Sequence, residues 1–531
     1  MHIFAFGHIF VFGAVYLSVK KVYFGGLVME SSREKINFDS IERYHFAQSV
    51  STKEFISDGA KLLSVSASAC AGRCEMLNGE VVIEGNVHFV AVFRDGEGKI
   101  ERVERAERFT LNENIPGADA RATAFAKCRA EKVRGYTEAG SLMLSAVADI
   151  CLTVIMPGEK EILVLGEDED LRKKENTVTL SRITFAQNLR FTVSDTGELS
   201  LRLPEAKDIL FVSVLPKVNE THVSGGQLII GGEMQVQTVY SSLDEYEPIV
   251  EITDKFDFSR IVDVPDAAGQ AEVFLAPENV AAQIKTNADN EARIIEYTVD
   301  LCGYAYALEE KEYSCISDVY SVKNNLDVKR EKFTVKNSVS GTKTQINRNF
   351  SVTLPENKPT VSRIGSVVFS PNIKECKMYD NRAVLSGTGE VSVIYQSAGS
   401  GEPEGFFATV PIEFTADNVE CRGEVSAEAE LFDMQAVLIS GNEIEIRCGM
   451  TVNIFGLCGQ ESETVTEIND NGENDMPEFG IIIYTVQKSD RIWDICKRFC
   501  VDENEVRSLN PELKQEPTEG EKIYIFIPLK P

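Results

Sequence analysis

The sequence predicts a mainly β protein: three repeated all-β, sandwich-like domains followed by a small α/β unit of βααβ order. Three observations predict it. One strand pattern recurs three times at intervals of about 150 residues, a period that fits units of five or more strands. Apolar and polar residues alternate along those windows, as they do in strands half buried on one face. Near the C-terminus, between two short strands, apolar residues fall instead at i, i+3, i+4 and i+7, the spacing of one helix face.

Length and charge set the frame. The 531 residues hold roughly three to five domains. The net charge of −29 excludes nucleic acid and anionic membrane as expected partners, because affinity for both comes from clustered Lys and Arg. An acidic surface favours solubility and suits basic partners.

Residues 1–28 open with "MHIFAFGHIFVFGAVYLSVKK". The apolar run has the length of a signal peptide or short anchor. No Lys or Arg precedes it, Lys20 and Lys21 follow it, and no small-x-small cleavage signal precedes Met29. "GGLVM" can be encoded by a ribosome-binding sequence spaced ahead of an ATG. The expected start is therefore Met29, with no membrane contact; an exported, anchored chain is the alternative.

The first repeat is expected at 29–165, the second at 166–315 and the third at 316–458. Their shared windows are "LNGEVVIEGNVHFVAVF" from Leu77, "SGGQLIIGGEMQVQTVY" from Ser224 and "YDNRAVLSGTGEVSVIY" from Tyr379. Each has a glycine at its ninth position, Gly85, Gly232 and Gly387, and ends on Phe93, Tyr240 or Tyr395. A glycine inside a strand marks a bulge or bend. A second strand follows at Leu142 ("LMLSAVADICLTVIM"), Arg293 ("RIIEYTVDLCGYAYA") and Glu443 ("EIEIRCGMTVNIFGL"). Between the two lies a strand-and-turn signal, with Pro116 and Pro265 in the first two copies.

Residues 459–480 ("GQESETVTEINDNGENDMPEFG") carry seven acidic residues and no Lys or Arg. They read as a solvated, self-repelling linker. The terminal unit, 481–531, starts with the strand "IIIYTV". A helix capped by Ser489 or Asp490 buries Ile492, Ile495, Cys496 and Phe499. Asp502 with Glu505 makes a capping-box start to a second helix, which faces the core with Val506 and Leu509 and ends at Asn510-Pro511. "KIYIFIP" is the returning strand.

No chemistry-bearing constellation stands out. HExxH, GxSxG, GxGxxG and Walker A patterns are absent, and a non-enzyme without cofactor is expected. The twelve cysteines include no CxxC; Cys70/Cys74 and Cys496/Cys500 are CxxxC pairs lacking a second ligand pair nearby, so no metal is expected. Cys70, Cys128, Cys151, Cys302, Cys448 and Cys458 sit in apolar, strand-like runs, which suits reduced thiols in a cytosolic compartment.

The terminal unit resembles a LysM domain, on "YTV", "IWDI", "KRF", "VDENEVRSLNP" and "GEKIYIFIP". The resemblance implies binding to N-acetylglucosamine glycans such as peptidoglycan or chitin. The family's sugar loop reads Pro-Gly-Asp-Thr-Leu, whereas this chain has Lys488-Ser489-Asp490-Arg491-Ile492, and Cys500 stands where a glycine closes the first helix. Trp493 takes the family's usual packing position. Peptidoglycan binding is accordingly expected to be weak at most. Lys488, Ser489, Asp490, Arg491, Ile492, Lys497 and Arg498 are the expected contacts for a protein partner; Ile492 and Phe526 are candidate anchors but are expected first in the core.

Three acidic β-repeats followed by a LysM domain resemble the SipL-like family of clostridial spore proteins, whose repeats are SPOCS domains. The stretch "LNGEVVIEGNV" at Leu77 carries that resemblance best. It implies a mother-cell cytoplasmic protein at the forespore surface, a non-enzymatic adaptor in spore coat assembly. Its LysM domain would bind a coat-nucleating morphogenetic ATPase. The alternative is an exported peptidoglycan-binding LysM protein anchored by its N-terminal apolar segment.

Overall fold

The computed structural model describes residues 20–24, 27–244, 246–265, 267–419, 423–475 and 480–527; the apolar run of residues 3–19 lies outside them. A short strand, β1 (Lys20–Phe24), pairs back on β2 (Leu27–Phe55). From β2 onward the chain repeats one six-strand plan three times. The first copy is β2, β3 (Lys61–Leu77), β4 (Glu80–Arg94), β5 (Ile100–Asn114), β6 (Thr123–Glu138) and β7 (Ser141–Leu165). The second is β8 (Leu171–Glu198), β9 (Ala206–Ser224), β10 (Gln227–Ser242), β11 (Ile249–Asp263), β12 (Gln270–Lys285) and β13 (Ile294–Ser321). The third is β14 (Asn324–Thr353), β15 (Val361–Tyr379), β16 (Arg382–Ser397), β17 (Pro403–Asp417), β18 (Glu424–Ser440) and β19 (Glu443–Glu473).

In each copy strands two to four form an antiparallel meander, and the long last strand lies between the first and the fifth. The two sheets pack as a sandwich because one face of every strand is apolar. In β7, Leu142, Leu144, Ala146, Ala148, Ile150, Leu152 and Val154 alternate inward and are buried against Val81, Ile83, Val87 and Phe89 of β4. The predicted glycines mark bulges, and the extra residue sits on the neighbouring strand: between Ala71 and Arg73 opposite Gly85, and between Ile373 and Glu375 opposite Gly387. The register of β9 also shifts, next to Gly231 and Gly232. A Cβ would stand 2.5 Å from the Cys70 carbonyl at Gly85, 2.3 Å from that of Lys217 at Gly232 and 2.0 Å from that of Asn372 at Gly387. Close backbone approach requires the glycine at all three positions.

The three meanders meet edge to edge and close a ring. Arg102 of β5 donates to the Ile209 carbonyl of β9 at 2.9 Å, and the Val367 amide of β15 donates to Glu251 of β11 at 2.9 Å. The third repeat returns to the first through the Ser64–Ser392 hydroxyl pair at 2.9 Å and the ion pair of Lys61 with Glu404. Val92, Val239 and Ile394, which share one position in the repeated window, are buried together at the hub with Leu63, Leu210, Phe211 and Ile249. A cavity of about 660 Å³ lies between the repeats, with wall residues from all three, among them Val65, Phe274 and Phe369.

Beyond the sandwiches the long first and last strands continue as three two-stranded ribbons. They pack against one another as a stalk around Ile36, Ile162, Val178, Leu180, Cys315 and Val335, and further out around Leu165, Ile316, Val319 and Val465. This corrects two boundaries and the linker. β13 runs through residue 315, and β19 runs from Glu443 to Glu473 across residues 459–473. The acidic stretch is therefore mostly stalk strand. A bulge at Thr466 brings Val465 and Ile468, three residues apart, to the inward face, and Lys329 and Lys332 of β14 pair with Glu467 and Glu461. The last unit comprises β20 (Gly480–Thr485), α1 (Ile492–Phe499), α2 (Glu503–Leu509) and β21 (Lys522–Ile527), with the two strands antiparallel.

Candidate functional site

The residues expected to meet a partner lie on the loop before α1 and on α1 itself. The N-cap of α1 is Arg491, which makes no side-chain capping bond, in place of the expected Ser489 or Asp490. The Asp490 carboxylate is engaged elsewhere, accepting from the Gln487 amide at 2.8 Å and the Tyr484 hydroxyl at 2.5 Å. The Ile492 amide donates instead to Glu516 at 3.0 Å, which satisfies an orphan donor of the first turn. Ser489 and Cys500 both adopt left-handed backbone, with φ of 72° and 51°. These are the two positions where the resembled family has glycine, so each carries the steric cost of a side chain in that region. At Cys500 this closes the helix: the Val501 amide bonds the Cys496 carbonyl and the Cys500 amide that of Lys497, the paired bonds of a Schellman motif.

Asp502 caps α2 as expected, accepting from the Asn504 amide at 2.7 Å. Asn510, which the sequence marked only as the end of the second helix, joins α2 to β21. Its side chain donates to the carbonyls of Val506 and Tyr524 and accepts from the Tyr524 amide. Ile492, Ile495, Cys496, Val506, Ile523 and Ile525 are buried together. Leu509 is 47% exposed, contrary to the expectation of a core face, because it falls in the last turn beside Asn510. Phe526 is also outside the core. With Ile481, Ile483 and Tyr524 it forms the outward face of the two-stranded sheet, in the register Ile481↔Phe526 and Ile483↔Tyr524.

The inward side of the unit is seated on the stalk tip. Asp318 on β13 accepts from Trp493 Nε1 at 2.9 Å and Lys497 Nζ at 2.6 Å, and it also pairs with Arg330 of β14. Tyr320 packs edge-on against Trp493, with ring centroids 5.0 Å apart, and its hydroxyl donates to the Val501 carbonyl at 2.8 Å. Arg172 of β8 pairs with Asp502. A bulge at Ser317 breaks the register just before Asp318, and such a kink re-aims the side chains that follow it. Burial alone would raise the Asp318 carboxyl; hydrogen bonds from Lys497, Trp493 and Arg330 outweigh it and hold the group below its ordinary range.

Trp493 therefore packs against the stalk as well as its own unit. Lys497 is committed to Asp318, and Arg498 bonds the Tyr484 hydroxyl at 2.5 Å. Lys488, Ser489 and Arg491 are exposed, and Ile492 is buried. Asp318, Tyr320 and Arg172 were missed in the sequence. They sit on ribbon strands far from the terminal motif, and only the alternation in "SCISDVYSV" hints that a strand continues there.

Residues 205–285 match the family model described as SipL, SPOCS domain. The match spans β9 to β12 of the second repeat, whereas the resemblance had been placed on the first. No curated protein and no solved structure matches. No helix among the described residues is long and apolar enough to cross a membrane.

Proposed function

We propose that the chain is a non-enzymatic scaffold of the spore coat, and that its terminal unit, a LysM-type βααβ fold, binds the coat-nucleating morphogenetic ATPase in the mother-cell cytoplasm at the forespore surface. The observation that carries this reading is the SPOCS match within a ring of three like repeats. Repeats closed on one another, with no catalytic constellation in their sequence, suit presentation of surfaces rather than turnover. The state of the terminal unit supports a protein partner over a glycan. The loop where a glycine would admit a sugar carries Ser489 in left-handed backbone, flanked by exposed Lys488 and half-buried Asp490, with exposed Arg491 next. With α1 turned to the stalk, the face left for a partner is the outward sheet of Ile481, Ile483, Tyr524 and Phe526. Large apolar side chains of this kind act as interface anchors, while Lys488 and Arg491 set on-rate and salt sensitivity.

The test is retention of the ATPase by the full chain, beside sedimentation with purified peptidoglycan, over a salt series. The expected result is ATPase capture that Ile481→Glu abolishes, with little wall binding. Salt-insensitive sedimentation with peptidoglycan and no ATPase retention would overturn the assignment and restore the exported wall-binding reading.

A further inference from the structure

Cys70 on β3 and Cys302 on β13 belong to different repeats, yet their sulfurs are 2.7 Å apart. That is closer than two thiols not sharing a bond ordinarily come, and a disulfide is ~2.05 Å long. Both side chains are buried. We propose that Cys70 and Cys302 are a disulfide-forming pair, a covalent staple between the first and second repeats that hydrogen peroxide closes and a small thiol reopens.

The surroundings select the oxidant. A cavity of about 40 Å³ lies beside the pair, lined by Cys70, Cys74, Cys128, Cys302, Arg73 and Tyr304 among others. It admits a water-sized molecule, a size that favours peroxide as the oxidant. The mutual hydrogen bond raises the Cys70 thiol and lowers that of Cys302. Cys302, whose thiol is the lowered one of the two, is assigned as the attacking sulfur, since the thiolate is the reactive form.

The step balances. The Cys302 thiolate attacks one peroxide oxygen and the O–O bond breaks. Cys302 becomes a sulfenic acid, and the departing hydroxide takes the Cys70 proton to form water. The Cys70 thiolate then attacks the Cys302 sulfur. The S–S bond forms and hydroxide leaves, regaining from solvent the proton Cys302 had released. Two thiols lose two electrons and peroxide becomes two waters.

The pair belongs to one junction. The positions equivalent to Cys70 opposite the repeated windows are Lys217 and Asn372, paired with Glu233 and Thr388 as Cys70 is with Asn86. Neither is a thiol. The staple is thus a feature added to the repeated plan at a single interface.

The experiment uses the full chain. Folded protein is treated with hydrogen peroxide, its remaining thiols are alkylated, and a non-reducing digest is mapped by mass spectrometry. The expected product is a Cys70–Cys302 linked peptide that dithiothreitol dissolves, with a urea midpoint that rises on oxidation and returns on reduction. Cys70→Ser should stop Cys302 at the sulfenic acid, captured as a dimedone adduct. A peroxide-treated folded protein with no linked peptide, or one linked through Cys74 or Cys128 instead, overturns the proposal. If Cys70→Ser does not fold, the wild-type map decides alone.

Discussion

Replacing Asp318 tests whether the terminal unit is held on the stalk by one carboxylate. Two hydrogen bonds cross to it from the unit, from Trp493 at 2.9 Å and Lys497 at 2.6 Å. A hydrogen bond to a charged acceptor contributes about 1.5–3 kcal/mol. The Lys497 side chain is 32% exposed, so its pair is discounted to about 1 kcal/mol for solvent screening. Asp318→Ala also leaves Lys497 and Arg330, which shared one carboxylate oxygen, as neighbouring like charges. Docking should weaken by about 2.5–4 kcal/mol, roughly 70- to 900-fold in the docking equilibrium. Asp318→Asn, which can still accept from the indole, should lose less.

Trp493 is the only tryptophan in the chain, so its emission reports docking directly. The expected outcome for Asp318→Ala is a red shift, stronger acrylamide quenching, and faster deuterium uptake in the peptides of α1 and the β13 tip. The same protein should keep wild-type exchange in β7 and β10. Unchanged emission and unchanged uptake at both surfaces would refute the view that Asp318 holds the unit in place.

Other outcomes follow from the same contacts. Trp493→Ala should release the unit from the stalk without unfolding it, because Ile495, Cys496, Ile523 and Ile525 form the interior; loss of exchange protection across β20 and β21 would show that Trp493 is core. Ser489→Gly and Cys500→Gly should each raise the unit's stability by up to about 1 kcal/mol in chemical denaturation, since relief of left-handed strain exceeds the entropy of glycine. Gly387→Ala should destabilise the third repeat by about 1–3 kcal/mol, read from a lowered denaturation midpoint, as the new methyl meets the Asn372 carbonyl at 2.0 Å. Glu428 is pushed upward by burial, but Lys127, Arg129 and Arg43 overcome this and take its carboxyl down to about 2. Its contribution to the junction of the first and third repeats should be full above its ordinary pKa and fall as pH drops through that value toward 2, a decline that Glu428→Gln should flatten in a pH series of unfolding midpoints.

The repeated windows were legible because strand alternation and a glycine at a fixed place are local signals. Gly85, Gly232 and Gly387 could be set side by side without knowing what they pair with. The stalk was not legible for the opposite reason. Val465 and Ile468 are two apolar residues in an acidic run, and they become core only when three ribbons converge around them. A composition window averages them away, and the same average turned a stalk strand into a linker. The caps of the terminal unit divide likewise. Asp502 is a local side-chain cap and was readable. Glu516, which serves the Ile492 amide from 24 residues away, is set by the path of the loop. Phe526 and Leu509 were misplaced because a two-stranded sheet and a two-turn helix leave one side uncovered, whatever their apolar content.

Pseudo-symmetry sharpens the functional reading through the places where it fails. Three repeats of one plan produce three junctions and three ribbons, and a purely structural ring would use them alike. The junctions differ in chemistry. The first and second repeats meet through the Arg102–Ile209 bond and the Cys70–Cys302 pair. The second and third meet through Glu251 under Val367, and the first and third through Lys127 with Glu428. The ribbons differ too, for the tip of the second carries Asp318 and Tyr320 and Arg172 lies on its other strand. A ring whose copies have diverged at their junctions and at one tip, while keeping Val92, Val239 and Ile394 at a common hub, has one orientation. Its terminal unit is fixed at one end of the stalk, remote in sequence and in fold from the ring of meanders. On the scaffold reading proposed above, a partner captured at the sheet of Ile481 and Phe526 would be held a stalk's length from whatever the meander ring contacts, which is the geometry a layered assembly requires of a linking protein.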